Sequence, residues 1–104
     1  RLGMLTHKQL GQALAQLHNV QYVDAEHIQI NPAVMQILPE SFIRQNTVIP
    51  LAVDEEGKRL AVAMARPDSL TLLDHIAALT GYRPVPKLST HSELLELIDS
   101  YYSQ

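Results

Sequence analysis

The stretch from Arg59 to Leu88 constrains the fold of this chain more than any other part. An apolar run, Arg59 to Ala65, is followed by apolar residues at helical spacing from Leu70 to Leu79 and by a second short run that ends at Leu88. A strand, a helix and a strand in this order predict a βαβ unit with parallel strands and a right-handed crossover.

A further strand is expected just before this unit. Thr47 to Val53 is apolar, and Pro50 within it favours an edge position or a bulge. The charged loop Asp54 to Lys58 then connects two strands, and we expect Gly57 to supply the positive φ of a hairpin turn. An antiparallel hairpin therefore leads into the βαβ unit.

Capping residues mark the expected helix ends, because short polar side chains satisfy the free amides of a first turn and glycine terminates a last turn. We expect a short strand at Val20 to Val23 and an edge strand ending at Leu88, broken by Pro84 and Pro86. The expected caps are Thr6, Asn31 (before Pro32), Ser69 and Thr90 at helix starts and Gly81 at a helix end. The prediction is one α+β domain over residues 1–104, in the order α-β-α-α-β-β-α-β-α, with helices packed on a small mixed sheet of three to four strands.

Composition narrows the possible functions. The 104 residues contain no cysteine, which excludes disulfides, thiolate zinc sites and cysteine nucleophiles. Eight lysines and arginines against eleven aspartates and glutamates give a net charge of −3, and the scattered basic residues argue against a nucleic-acid partner. No apolar run approaches the roughly 20 residues that cross a bilayer. Because the chain begins without Met in the middle of a pattern, we expect it to be a piece of a longer protein.

The sequence contains no catalytic motif that we can identify. It lacks the glycine-rich phosphate loop of nucleotide hydrolases and the Gly-x-Ser-x-Gly of serine hydrolases. Asp74 and His75 are adjacent on a helix and point about 100° apart, so they do not form a triad with Ser69. None of the five histidines has the spacing of a helical metal site. We therefore expect no catalytic residue and no bound metal.

Two segments remain as candidates for partner binding. Leu10, Leu14 and Leu17 share one face of the first helix, and that face meets the domain's own core, a partner, or a neighbouring segment of the longer protein. The loop that contains Arg66 and Asp68 joins a strand to a helix start, where an anion could bind. The alternative for this loop is a simple helix entry, with Asp68 or the next residue as the cap.

Several motifs, taken together, resemble one family. The chain is similar to the N-terminal domain of type II secretion and type IV pilus assembly ATPases, and the resemblance covers nearly all of it. The motifs are Gly3-Met4-Leu5-Thr6, Gln9-Leu10, Ala13-Leu14-Ala15, Tyr22-Val23-Asp24, Leu38-Pro39-Glu40, Val48-Ile49-Pro50-Leu51, the run from Leu60 to Asp68, and Leu79-Thr80-Gly81.

The resemblance implies a docking role. In that family a hexameric ATPase core with Walker motifs follows this domain, so ATP and Mg²⁺ belong to the parent and the segment itself is not catalytic. The domain attaches the motor to a cytoplasmic domain of an inner-membrane platform protein, which implies a cytoplasmic location at that membrane. Leu10, Leu14, Leu17, Arg66 and Asp68 are the residues expected to contact this partner.

A subset of the family binds cyclic di-GMP through a repeated motif. The matching register places Gly3 at the second glycine of the motif, and Leu17 stands where the motif ends in Gln. The positions that match are Met4, Leu5, Leu10 and Leu14. The arginine of the motif would precede residue 1. A cyclic di-GMP sensing domain, of such an ATPase or of a fused enzyme such as a membrane glycosyltransferase, is the alternative function.

Overall fold

The computed structural model describes residues 7–103, with side chains from residue 9 onward. The expected cap Thr6 and the motif residues Gly3, Met4 and Leu5 lie outside the described residues. The helices are α1 (His7–His18), α2 (Pro32–Met35), α3 (Glu40–Asn46), α4 (Leu70–Thr80) and α5 (His91–Tyr102). The strands are β1 (Val48–Asp54), β2 (Arg59–Met64) and β3 (Arg83–Leu88).

The described sheet is mixed and three-stranded, in the order β1-β2-β3. β1 pairs antiparallel with β2, and β2 pairs parallel with β3 through the crossover helix α4, so the hairpin and the βαβ unit are both confirmed. The prolines lie where a missing amide costs least, because β1 and β3 are the outer strands. Pro50 also adjoins a register shift, between Pro50 and Ala52, so both of its predicted features are present.

The predicted short strand at Val20 to Val23 is reduced to a single parallel bridge between Tyr22 and Leu88. Two backbone hydrogen bonds of 2.8 Å make this bridge, from Val23 to the carbonyl of Leu88 and from Leu88 to the carbonyl of Gln21. A single 3-10 turn, Ala25–His27, follows directly and prevents further pairing. The connection after α1 is thereby fastened to the end of β3.

The hairpin loop differs from the prediction in one residue. Lys58, with φ +55°, adopts the left-handed conformation that was expected of Gly57. Gly57 instead leaves room for two side chains, since a Cβ there would lie 2.7 Å from Arg59 Nε and 2.8 Å from Asp54 Oδ2. Those two side chains form a 2.7 Å ion pair across the turn. Two hydrogen bonds hold the pKa of Asp54 below its usual range. The larger effect comes from Arg59 and the smaller from the Gly57 amide.

The predicted caps within the described residues are confirmed. Asn31 accepts a hydrogen bond from the Ala33 amide ahead of α2, and Ser69 accepts one from the Leu72 amide ahead of α4. Gly81, at φ +79°, ends α4. Each cap makes a hydrogen bond at a helix end, where backbone groups have no partner within the helix. The caps therefore determine where the helices begin and end.

One apolar core joins the sheet to α2, α3, α4 and α5. Leu60, Val62 and Met64 alternate along β2 and are fully buried, as the period of a strand requires for one covered face. Side chains from the helices complete this core. They are Met35, Phe42, Ile43, Ile76, Leu94 and Ile98.

Candidate functional site

α1 lies on the domain through its small residues. Gly11 and Ala15, four residues apart, are buried on one face. The Gly11 Cα lies so close to the Tyr22 ring that a Cβ at this position would overlap the ring. A helix can approach a ring this closely only where it has no side chain. The contact face of α1 is therefore Gly11 and Ala15, not its leucines.

The three leucines of α1 form an exposed apolar strip, here called the leucine stripe (Leu10, Leu14 and Leu17). Leu10 is 40% exposed and Leu17 is 77% exposed, whereas Leu14 is half-buried at the border of the contact face. Their spacing of four and then three residues places them on one side of a helix. Leu10 and Leu17 therefore lie at the surface of the domain and not in its core.

A buried polar network connects the segment after α1 to the start of α5. The Tyr22 hydroxyl donates to both carboxylate oxygens of Glu93, at 3.0 and 3.2 Å. Glu93 also accepts from the amide and the hydroxyl of Thr90, the predicted cap, and the two residues form a capping box. Burial, with a smaller contribution from the hydrogen bond to Glu93, raises the pKa of Tyr22 well above its usual range. The network fixes the ring against which α1 packs.

The second candidate segment borders a cleft of about 560 Å³ at the carboxyl ends of β2 and β3. Two histidines in it are held in place by neighbours: His75 meets the Phe42 ring edge-on at 5.0 Å between centroids, and His91 Nε2 lies 3.4 Å from Thr47 Oγ1. The lining residues of this cleft are Gln45, Asn46, Thr47, Met64, Ala65, Arg66, Ser69, Thr71, Leu72, His75 and His91.

The structure separates the two residues that sequence reasoning had grouped in this loop. Arg66 and Asp68 are both exposed, but only Arg66 lines the cleft. The cap of α4 is Ser69, so Asp68 does not fill that role. Sequence reasoning missed His75 and His91 as neighbours of Arg66, because their contacts join helices that are distant in the chain.

Within the described residues, whose side chains begin at residue 9, no group of three or more histidine, aspartate or glutamate side chains is arranged to hold a metal ion. No helix among the same residues has the length and apolar character needed to cross a membrane.

Fold and surfaces together define a small α+β domain with a mixed sheet, an exposed helix stripe and a cleft at the ends of the parallel strands. Residues 18–104 match the MshEN domain, and the chain belongs to that family. The predicted resemblance to the N-terminal domain of type II secretion and type IV pilus ATPases is thereby confirmed. The matched region begins at His18, so the leucine stripe precedes it.

Two relatives are type IV pilus assembly ATPases named PilB. The chain is 26% identical over 103 residues to PilB of Thermus thermophilus. This alignment covers 99% of the chain and 12% of the relative. It is 23% identical over 104 residues to PilB of Myxococcus xanthus, covering 100% of this chain and 18% of the relative. The chain therefore spans less than a fifth of the length of either ATPase.

Solved structures share the fold. The structure of MshE with cdg matches with a TM-score of 0.78 at 24% identity, over 97% of this chain and 72% of that one. The N-terminal domain of XpsE matches with a TM-score of 0.72 at 24% identity, over 98% of this chain and 70% of that one. These likenesses confirm the α+β architecture.

Proposed function

We propose that this domain is a non-catalytic docking module of a type II secretion or type IV pilus motor ATPase. Its partner is a cytoplasmic domain of the inner-membrane platform protein, which places the domain at the cytoplasmic face of that membrane. ATP hydrolysis, with its Mg²⁺ and its hexameric ring, belongs to another part of the parent protein. The support is family membership, together with relatives that are ATPases of which this chain spans only a small part.

The observation that carries the docking proposal is the exposure of the leucine stripe. Because α1 packs through Gly11 and Ala15, the side chains of Leu10 and Leu17 remain exposed to water. The free energy of apolar surface in water is unfavourable, so its burial against a partner would favour binding. Exposed apolar residues with a polar rim mark protein interaction sites, and a stripe with this spacing suits insertion into a groove of a partner. Gln9 and Gln16 supply exposed polar residues on the same helix.

The docking proposal is tested by calorimetric titration of this chain with the cytoplasmic domain of the platform protein from the same cell. Leu17→Asp places a charge in the stripe and is expected to weaken binding at least tenfold, since burying one leucine is worth about 1.5–3 kcal/mol. Gln12→Asp adds the same charge elsewhere on α1 and is expected to bind as the wild type does. Equal binding by both variants, or no binding by the wild type, would refute the proposal.

A second candidate function is cyclic di-GMP sensing, because a structure of MshE with cdg has the same fold. Leu10 and Leu14 match the ligand motif of the family, whereas Leu17 stands at its final glutamine. The test is a titration of cyclic di-GMP into the wild type and into Leu17→Gln, which restores that position. Stronger binding by the variant supports sensing through α1, and absence of heat from both chains counts against it.

A further inference from the structure

The cleft bordered by Arg66 is distinct from the leucine stripe. We propose that it binds a small organic anion, a phosphate or carboxylate attached to an apolar or planar body, with Arg66 as its main charged contact. This inference does not depend on the docking proposal, because no residue of α1 lines the cleft.

Topology supports this position. In sheets with parallel strands, ligands bind just outside the carboxyl ends of those strands, where the following loops leave room. β2 and β3 are parallel, and both run toward the cleft. Arg66 follows the last residue of β2, Met64, and His91 begins the helix that follows β3. The two connections after the parallel strands thus supply the two sides of one site.

The charge of the lining selects an anion. It contains one arginine, two histidines, hydroxyls and side-chain amides, and no aspartate or glutamate. Arg44 and Arg59 are each paired with a carboxylate, whereas the side chain of Arg66 makes no ion pair or hydrogen bond within the described part of the chain; only its backbone carbonyl accepts one, from the Ser69 amide. The net charge of the protein is −3, so this cationic lining is not part of a generally basic surface. An unpaired guanidinium is suited to two-point binding of a phosphate or carboxylate.

Size and shape select an organic ligand over a bare ion. The volume of about 560 Å³ is within the range of small-molecule sites. Ala65 and Leu72, both half-buried, give the cleft an apolar wall that an inorganic ion would leave uncovered. His75 meets the ring of Phe42 edge-on and His91 lies 3.4 Å from Thr47 Oγ1, so each contact favours one orientation of an exposed imidazole at the edge of the cleft.

The test is a titration of this chain followed by amide chemical shifts, with phenyl phosphate and benzoate as separate probes and sodium chloride as the ionic-strength control. We expect saturable shifts at the cleft amides, including Ala65 and Leu72, with a Kd of about 1 mM or lower. A response to one probe only identifies the head group. Absence of saturable cleft shifts with both probes overturns the proposal.

Variants test the role of Arg66. Arg66→Gln is expected to raise the Kd about tenfold, since a charge-assisted hydrogen bond is lost. Arg83→Gln removes the same charge at an exposed site outside the cleft and is expected to leave the Kd unchanged. Thr71→Glu adds a carboxylate to the lining in the first turn of α4, where acidic residues favour the helix, and is expected to abolish binding. Equal effects of Arg66→Gln and Arg83→Gln would overturn the proposal.

A final control separates the two proposals. Leu17→Asp is expected to retain the cleft shifts, although it loses the platform partner. If Leu17→Asp abolished the cleft shifts as well, the cleft would not be an independent site.

Discussion

The hydroxyl of Tyr22 donates a hydrogen bond to the carboxylate of Glu93, 71 residues away in the chain. Glu93 is only 8% exposed, and the capping box with Thr90 already occupies one of its oxygens. The ring of Tyr22 in turn supports Gly11 of α1. A single side chain therefore connects the helix that carries the leucine stripe to the first turn of the last helix.

Tyr22→Phe removes the hydroxyl and keeps the ring. It is expected to lower the free energy of unfolding by about 1–3 kcal/mol, the range for a hydrogen bond to a buried charged group. The measurement is urea denaturation of the variant and the wild type. Tyr82→Phe is the matched control, because Tyr82 donates to Glu55 at an exposed position and is expected to cost less than about 0.5 kcal/mol. Equal losses in the two variants would contradict a special role for the buried pair.

Alkaline pH is expected to destabilise the protein through the same residue. Burial and the hydrogen bond to Glu93 raise the pKa of Tyr22 in the folded state above its ordinary value of 10.0. Above that pH the unfolded chain has lost the phenol proton that the folded chain keeps, so the free energy of unfolding falls as pH rises. Below it this contribution is constant. Urea denaturation as a function of pH should show a steeper alkaline decline for the wild type than for Tyr22→Phe, and identical slopes would contradict the assignment.

Gly11→Ala tests how closely α1 packs on the domain. In an ordinary helix this change stabilises by about 0.5–1 kcal/mol. Here the new Cβ would overlap the Tyr22 ring, so the helix or the ring must move, and the expected result is a loss of about 1–3 kcal/mol. The measurement is thermal or urea unfolding, with the exposed Gln12→Ala as the control. A more stable Gly11→Ala variant would show that α1 does not rest on this ring.

The helix boundaries and the sheet could be predicted from the sequence because their causes are local. A cap and the amide that it serves lie within three residues, as at Ser69 and Leu72. The hairpin and the βαβ unit follow from strand spacing alone. The extent of pairing at Tyr22 could not be predicted, because it depends on the distant Leu88 and on the turn that follows.

The candidate site was only partly predictable for the same reason. Periodicity identified the leucine stripe, but periodicity cannot say which face of a helix meets the core. Small residues decided the contact face, since Gly11 allows an approach to Tyr22 that a leucine would block. The cleft residues His75 and His91 come together only through tertiary packing, so spacing in the chain carries no signal for them.

Stability measurements on the stripe distinguish a surface from a core, independently of any partner. Leu17→Asp is expected to lower the free energy of unfolding by no more than about 1 kcal/mol, because the side chain is 77% exposed and the cost is limited to the poorer helix propensity of Asp and its charge in the last turn of α1. Leu94→Ala, at a fully buried position of α5, is expected to cost about 2–5 kcal/mol through lost burial and a residual cavity. Urea denaturation of both variants measures the contrast. A loss of several kcal/mol from Leu17→Asp would mean that the stripe is covered by this chain itself, and its exposure could then no longer support docking.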